Sequence, residues 1–100
     1  MDHVLVVRPE AESDIDAAYV WYEDQRTGLG AEFLEEVEKC FNLLQENPRI
    51  YALIYSDVRR ALLRRFPFGA FYVLESDTIS VLAVLHTARH PDSWERRIDV

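Results

Sequence analysis

The chain has 100 residues, 49% of them hydrophobic and 29% charged, with a net charge of -7. Those totals describe one globular domain and exclude a disordered segment. The longest uncharged apolar run, Thr78 to Ala88, is too short to cross a bilayer, and Asp2 and His3 stand where a signal peptide needs a basic and then apolar start. A single cysteine, Cys40, forms no internal disulfide, so a reducing cytoplasm is the expected compartment.

Charge is unevenly distributed. The first fifty residues carry twelve acids against four bases, and the last fifty carry six acids against seven bases, all seven arginine. One acidic half and one arginine-bearing half leaves room for an anionic partner that the net charge alone would argue against.

In chain order, Val4 to Val7 is a short strand that stops at Arg8-Pro9, because the residue before proline favours extended backbone. Pro9 opens a helix, with Glu10 and Glu12 in its positive first turn and Ala11, Ile15, Ala18 and Tyr22 at helical spacing. Gly28 in "RTGLG" ends it as a left-handed cap. A second helix has the stripe Phe33, Val37, Cys40, Phe41 and Leu44, with Glu32, Glu35, Glu36 and Glu38 facing water, and "ENP" closes it. So short a connection predicts an antiparallel helical hairpin.

From Tyr51 the period changes. Val58 to Phe66, Phe68 to Leu74 and Thr78 to Thr87 read as strands, with "ESD" as a tight turn and Pro67 and Gly69 marking a bend or bulge. Pro91 opens a last helical turn that carries Trp94. The expected fold is α+β, a β-α-α-β-β-β order in which a helical hairpin packs on one face of an antiparallel sheet, as a single domain over residues 1–100. Strict alternation would turn Ile79, Val81, Ala83 and Leu85 one way, and Leu82 and Val84 the other way with Ser80 and His86. Two helices cover one face only, so the second is expected to be covered by the last segment or by another protein.

Two groups of residues invite a chemical reading. Arg59, Arg60, Arg64 and Arg65 crowd one strand. They either pair with the glutamate-rich helix and protect a sheet edge, or form a bidentate site for phosphate or carboxylate. His86 and Arg89 flank the exit of the last strand, either as locally bonded residues or as a general acid–base beside charge-stabilising arginines. His86, His90 and Asp92 lack the spacing of a metal site, and no metal or other cofactor is expected. Trp21, Tyr22, Phe33 and Phe41 read as core, and Cys40 as an inert buried thiol.

The stretches "WYEDQRTGLGAEF", "ENPRIY", "RRALLRRFPFGAFY" and "VLAVLHTARHPDSW" resemble RelE/ParE-type toxins of bacterial type II toxin–antitoxin systems, most closely the plasmid-stabilisation, ParE-like group. The resemblance runs from about Val6 to Trp94. It implies the fold just derived and a cognate antitoxin that wraps the toxin, within a homodimer or a toxin–antitoxin hetero-oligomer. It places antitoxin or target contacts at Arg59, Arg60, Arg64, Arg65, Leu82, Val84 and Arg89. ParE-like members inhibit growth through DNA gyrase. RelE-like members cleave messenger RNA in the ribosome, without a metal; in that case His86 would move the proton and Arg64, Arg65 and Arg89 would hold the developing charge. A member of the same fold that only binds a partner is the third alternative. The acidic balance and the lack of any tyrosine after Tyr72 favour the gyrase reading.

Overall fold

The computed structural model describes residues 3–88 together with Glu95 and Arg97. Strand β1 (Val4–Val7) is followed by helices α1 (Pro9–Gln25) and α2 (Leu29–Glu46), then β2 (Leu53–Tyr55), β3 (Val58–Leu62), β4 (Phe68–Glu75) and β5 (Thr78–His86). The five strands form one sheet in the order β1-β5-β4-β3-β2. The α+β class, the helical hairpin and the closing meander agree with the reading of the sequence.

The sheet differs in three details. It is mixed, because the chain crosses the helical layer after β1 and returns β5 parallel to it, with Val4 opposite Thr78 and Val7 opposite Val81. A short β2 precedes the meander, and β3 ends at Leu62 rather than Phe66. The chain turns there because Arg65 adopts a left-handed φ of 68°. The helical turn expected around Pro91 and Trp94 lies outside the described residues.

Local chemistry explains the hairpin. Pro9 is pre-organised for the first turn of α1, and Glu10 and Glu12 complement its dipole. Gly28, with φ 92°, turns the chain directly into α2. The Glu23 carboxylate reaches from α1 to accept the Gly28 and Gly30 amides, both at 3.0 Å, so the opening donors of α2 are satisfied by its neighbour. At Gly30 the helices touch, since an added Cβ would lie 2.7 Å from the Tyr19 ring.

The main core lies between helices and sheet. Tyr22 and Phe33 meet Phe66 and Phe68 with ring centroids 4.8 to 5.9 Å apart. Ala61, Ala70, Tyr72, Ile79, Val81 and Val84 close it from the sheet. Tyr72 is fully buried, and its hydroxyl donates to the Pro48 carbonyl at 2.6 Å, which ties β4 to the end of the helical layer. Burial pushes that phenol far above its ordinary range.

The last strand does not alternate as expected. Phe71 pairs with Ala83 but Tyr72 pairs with Val81, so Leu82 is an extra residue in the ladder. Before this bulge Ile79 and Val81 face the helices; after it Val84 does, while Leu82, Ala83 and Leu85 join Val58, Phe71 and Val73 in a second cluster. The grouping of Ile79, Val81, Ala83 and Leu85 on one face is therefore corrected, as is that of Leu82 with Val84. The second cluster is not a bare surface either. Its members are 0% to 6% exposed.

Candidate partner-docking surface

The arginines that crowd β3 and the turn after it do not converge. Arg59 faces the helical side of the sheet beside β2, and its Nη1 donates to the Tyr51 carbonyl at 2.6 Å and the Arg49 carbonyl at 3.1 Å. It fastens the loop that leads out of α2. Arg60 points to the other face, where its stem packs over Gly69; a Cβ there would lie 3.1 Å from the Arg60 Cγ. Arg64 is exposed and lines a shallow recess with Lys39, Leu43 and Leu62.

Arg65 is committed to α2. Its Nη2 donates to Glu32 Oε1 at 2.5 Å, its Nη1 lies 3.9 Å from the Glu36 carboxylate, and its guanidinium sits 5.5 Å from the centre of the Phe66 ring. Arg26 donates to the other Glu32 oxygen at 3.0 Å. The Arg65 hydrogen bond, then that from Arg26, holds the Glu32 carboxyl below its ordinary value of 4.5. The contribution of this exposed network is thus present at neutral pH and lost as pH falls through the acidic range below that value. Glu36, expected in water, is 5% exposed and is paired with Lys39 at 3.5 Å as well as with Arg65. The plain reading, arginines pairing with the glutamate-rich helix, holds for Arg65.

His86 sits elsewhere. Its ring packs edge-on against Phe68, with centroids 5.5 Å apart, and Nδ1 accepts the Ala88 amide at 3.0 Å. It lines a cleft of about 370 Å³ between α1 and the end of β5, facing Asp14, Ala18 and Trp21. An adjoining space of about 340 Å³ extends this cleft past Tyr22 and Pro67. Among the described residues no arginine lines either space, and His86 is not brought together with Arg64 or Arg65. Arg89 lies outside the described residues. Leu82 and Val84 are each 1% exposed, on opposite faces of the sheet, so neither offers side-chain surface to a partner.

Trp21, assigned above to the core, is 59% exposed and forms one wall of the cleft. Its position gives the reason: it stands one residue before Tyr22, about 100° around the helix from the buried stripe of Ala11, Ala18 and Tyr22. Asp14 was also overlooked, because one acid among many on an exposed-looking helix carries no signal of its own.

Cys40 is buried, and desolvation pushes its thiol up to about 11. A disulfide reagent at pH 8 is therefore expected to titrate no thiol in the native protein within minutes and one thiol in denaturant, read by absorbance. Rapid reaction in the native state would contradict this placement. Among the described residues no cluster of three His, Cys, Asp or Glu side chains could hold a metal, and no helix is long and apolar enough to cross a membrane.

A comparison with family models matches residues 5–91 to the ParE toxin of type II toxin–antitoxin system, parDE. The chain belongs to the ParE toxin family. As a member, it is a toxin component of the type II kind. Among solved structures, the ParE-family chain is similar to a protein of a chromosomal ParDE toxin–antitoxin system from P. aeruginosa. The TM-score is 0.75 at 22% identity, covering 84% of this chain and 95% of that one, which is a likeness of fold. No curated protein matches it.

Proposed function

We propose that the protein arrests bacterial growth by binding DNA gyrase, and that a cognate antitoxin neutralises it by docking against the cleft between α1 and β5. One observation carries the choice of target: of the groups that a ribonuclease would need, Arg65 is committed to α2 and lies apart from His86. Arg65 is neutralised by Glu32 and Glu36, and His86 packs on Phe68 in a cleft that Asp14 and Trp21 also line. A protein target needs no such constellation. It needs accessible apolar surface with anchoring aromatics, and Trp21 supplies one.

Induced expression in a bacterium tests the reading. Growth arrest with intact messenger RNA and an induced DNA-damage response is expected, and His86→Ala is expected to keep the arrest. Cleavage of messenger at codon positions, abolished by His86→Ala, would replace this function with the RelE-like one. Absence of arrest with antitoxin binding retained would leave a partner-binding module only.

A further inference from the structure

The edge of β5 changes neighbours half-way along. β1 pairs with it as far as Val81, where the Arg8 amide donates to the Val81 carbonyl and the chain enters α1. Past that point, among the described residues, no strand lies beside β5 on this side. Two side chains take its place. Asp14 Oδ2 accepts the Val84 amide at 3.0 Å, and Arg97 Nη1 donates to the Leu82 carbonyl at 3.0 Å. The two are joined by a pair of contacts, Nη1 to Oδ2 at 2.7 Å and Nη2 to Oδ1 at 3.3 Å. A carboxylate accepts where a neighbouring strand's carbonyl would, and a guanidinium donates where its amide would. The pair stands in for the N–H and C=O of one residue of an absent parallel strand.

Its surroundings favour an extended peptide there. Immediately beyond, Val84, Leu85 and His86 run along the apolar cleft walled by Trp21. A strand added at this edge would gain main-chain hydrogen bonds from β5 and a cavity for a side chain. The side chains of Asp14 and Arg97 are only 12% and 22% exposed. Removing Arg97 without replacement would strand a nearly buried carboxylate, which is strongly unfavourable. A displacing segment must therefore bring its own cation. The exposed acids Glu10, Glu12 and Asp16 on the same helix add to that preference. A second copy of this chain, with its net charge of -7, is a poor candidate.

We propose that the β5 edge and the α1 cleft receive an extended antitoxin segment bearing an arginine or lysine for Asp14 and an adjacent apolar side chain for the Trp21 cleft, and that Arg97 holds the cation position in the uncomplexed protein. This rests on the toxin–antitoxin reading above. The probe is the antitoxin encoded beside the toxin, titrated into full-length protein while the Trp21 indole N–H and Val84 amide resonances are followed. Arg97→Ala is expected to tighten binding about tenfold, the scale of one competing charge-assisted hydrogen bond. Asp14→Asn, which keeps an acceptor for the Val84 amide, is expected to weaken binding about tenfold because it removes the charge both cations use. If Arg97→Ala melts too low to titrate, Arg97→Gln, which retains a donor for Leu82, is read in the same way. Binding by the wild type that leaves Trp21 and Val84 unperturbed, or that is unchanged or weakened in the Arg97 variants, overturns this docking mode alone. Failure of the wild type to bind the antitoxin at all overturns the toxin–antitoxin reading with it.

Discussion

Phe33→Ala is expected to remove about 3–5 kcal/mol of stability. The side chain is fully buried at the centre of the aromatic cluster, with ring neighbours on α1, on β4 and on the turn before it: Tyr22 at 5.4 Å, Phe66 at 5.4 Å and Phe68 at 5.1 Å. Truncation leaves a cavity that rigid rings cannot collapse to fill, so the loss of burial and of ring contacts add. Domains of this size are stable by about 5–15 kcal/mol, so the variant would lie near its unfolding midpoint in mild denaturant. Urea melts followed by circular dichroism measure the difference. A loss under about 1 kcal/mol would mean that the helical layer and the sheet are not held together by this cluster.

Gly30→Ala should also destabilise, against its local trend. Alanine is favoured over glycine in a helix, by about 1 kcal/mol in the interior and less in the first turn where Gly30 stands, so propensity alone predicts a gain. The added Cβ, however, would lie 2.7 and 2.8 Å from the Tyr19 ring and 2.9 Å from the Tyr19 carbonyl oxygen. A ring can rotate, but a helical carbonyl cannot move without shifting α1. Separating the helices would also loosen the Glu23 hydrogen bonds to the Gly28 and Gly30 amides. A net loss of about 1–3 kcal/mol is expected, typical of overpacking. Thermal melts of the full chain decide, and a higher melting temperature would show that the hairpin opens at little cost.

The helical hairpin was legible because each of its signals is local: Pro9 and its following acids, Gly28, and stripes at helical spacing. The tight turn was legible for the same reason, with Glu75 paired to Thr78 across Ser76 and Asp77. The bulge at Leu82 was not, because "VLAVLH" is apolar on both faces and its alternation leaves no polar mark to reveal a shifted register. The destinations of the arginines were legible only in part. Pairing with the glutamate-rich helix was one of two readings and holds for Arg65, whereas Arg59 spends its donors on two carbonyls, a pairing that depends on tertiary placement. The proposed docking surface was the least visible part. Its Asp14 and Arg97 meet only after the chain has folded, from positions that look like ordinary solvated charges.

The unpaired residue in β5 has a wider effect on how this protein can vary. Ordinarily, adjacent residues in a strand belong to opposite layers, and every second one shares a layer. Here Leu82 and Ala83, though adjacent, serve the same layer, whereas Val81 and Ala83, two apart, serve different ones. Deleting or inserting a single residue within β5 between Thr78 and Leu82 would therefore exchange residents between the two cores, while an insertion in the turn at Ser76 and Asp77 would leave the strand's own pattern intact. Changes of length in this half of the molecule are expected to be tolerated in its turns and not within β5.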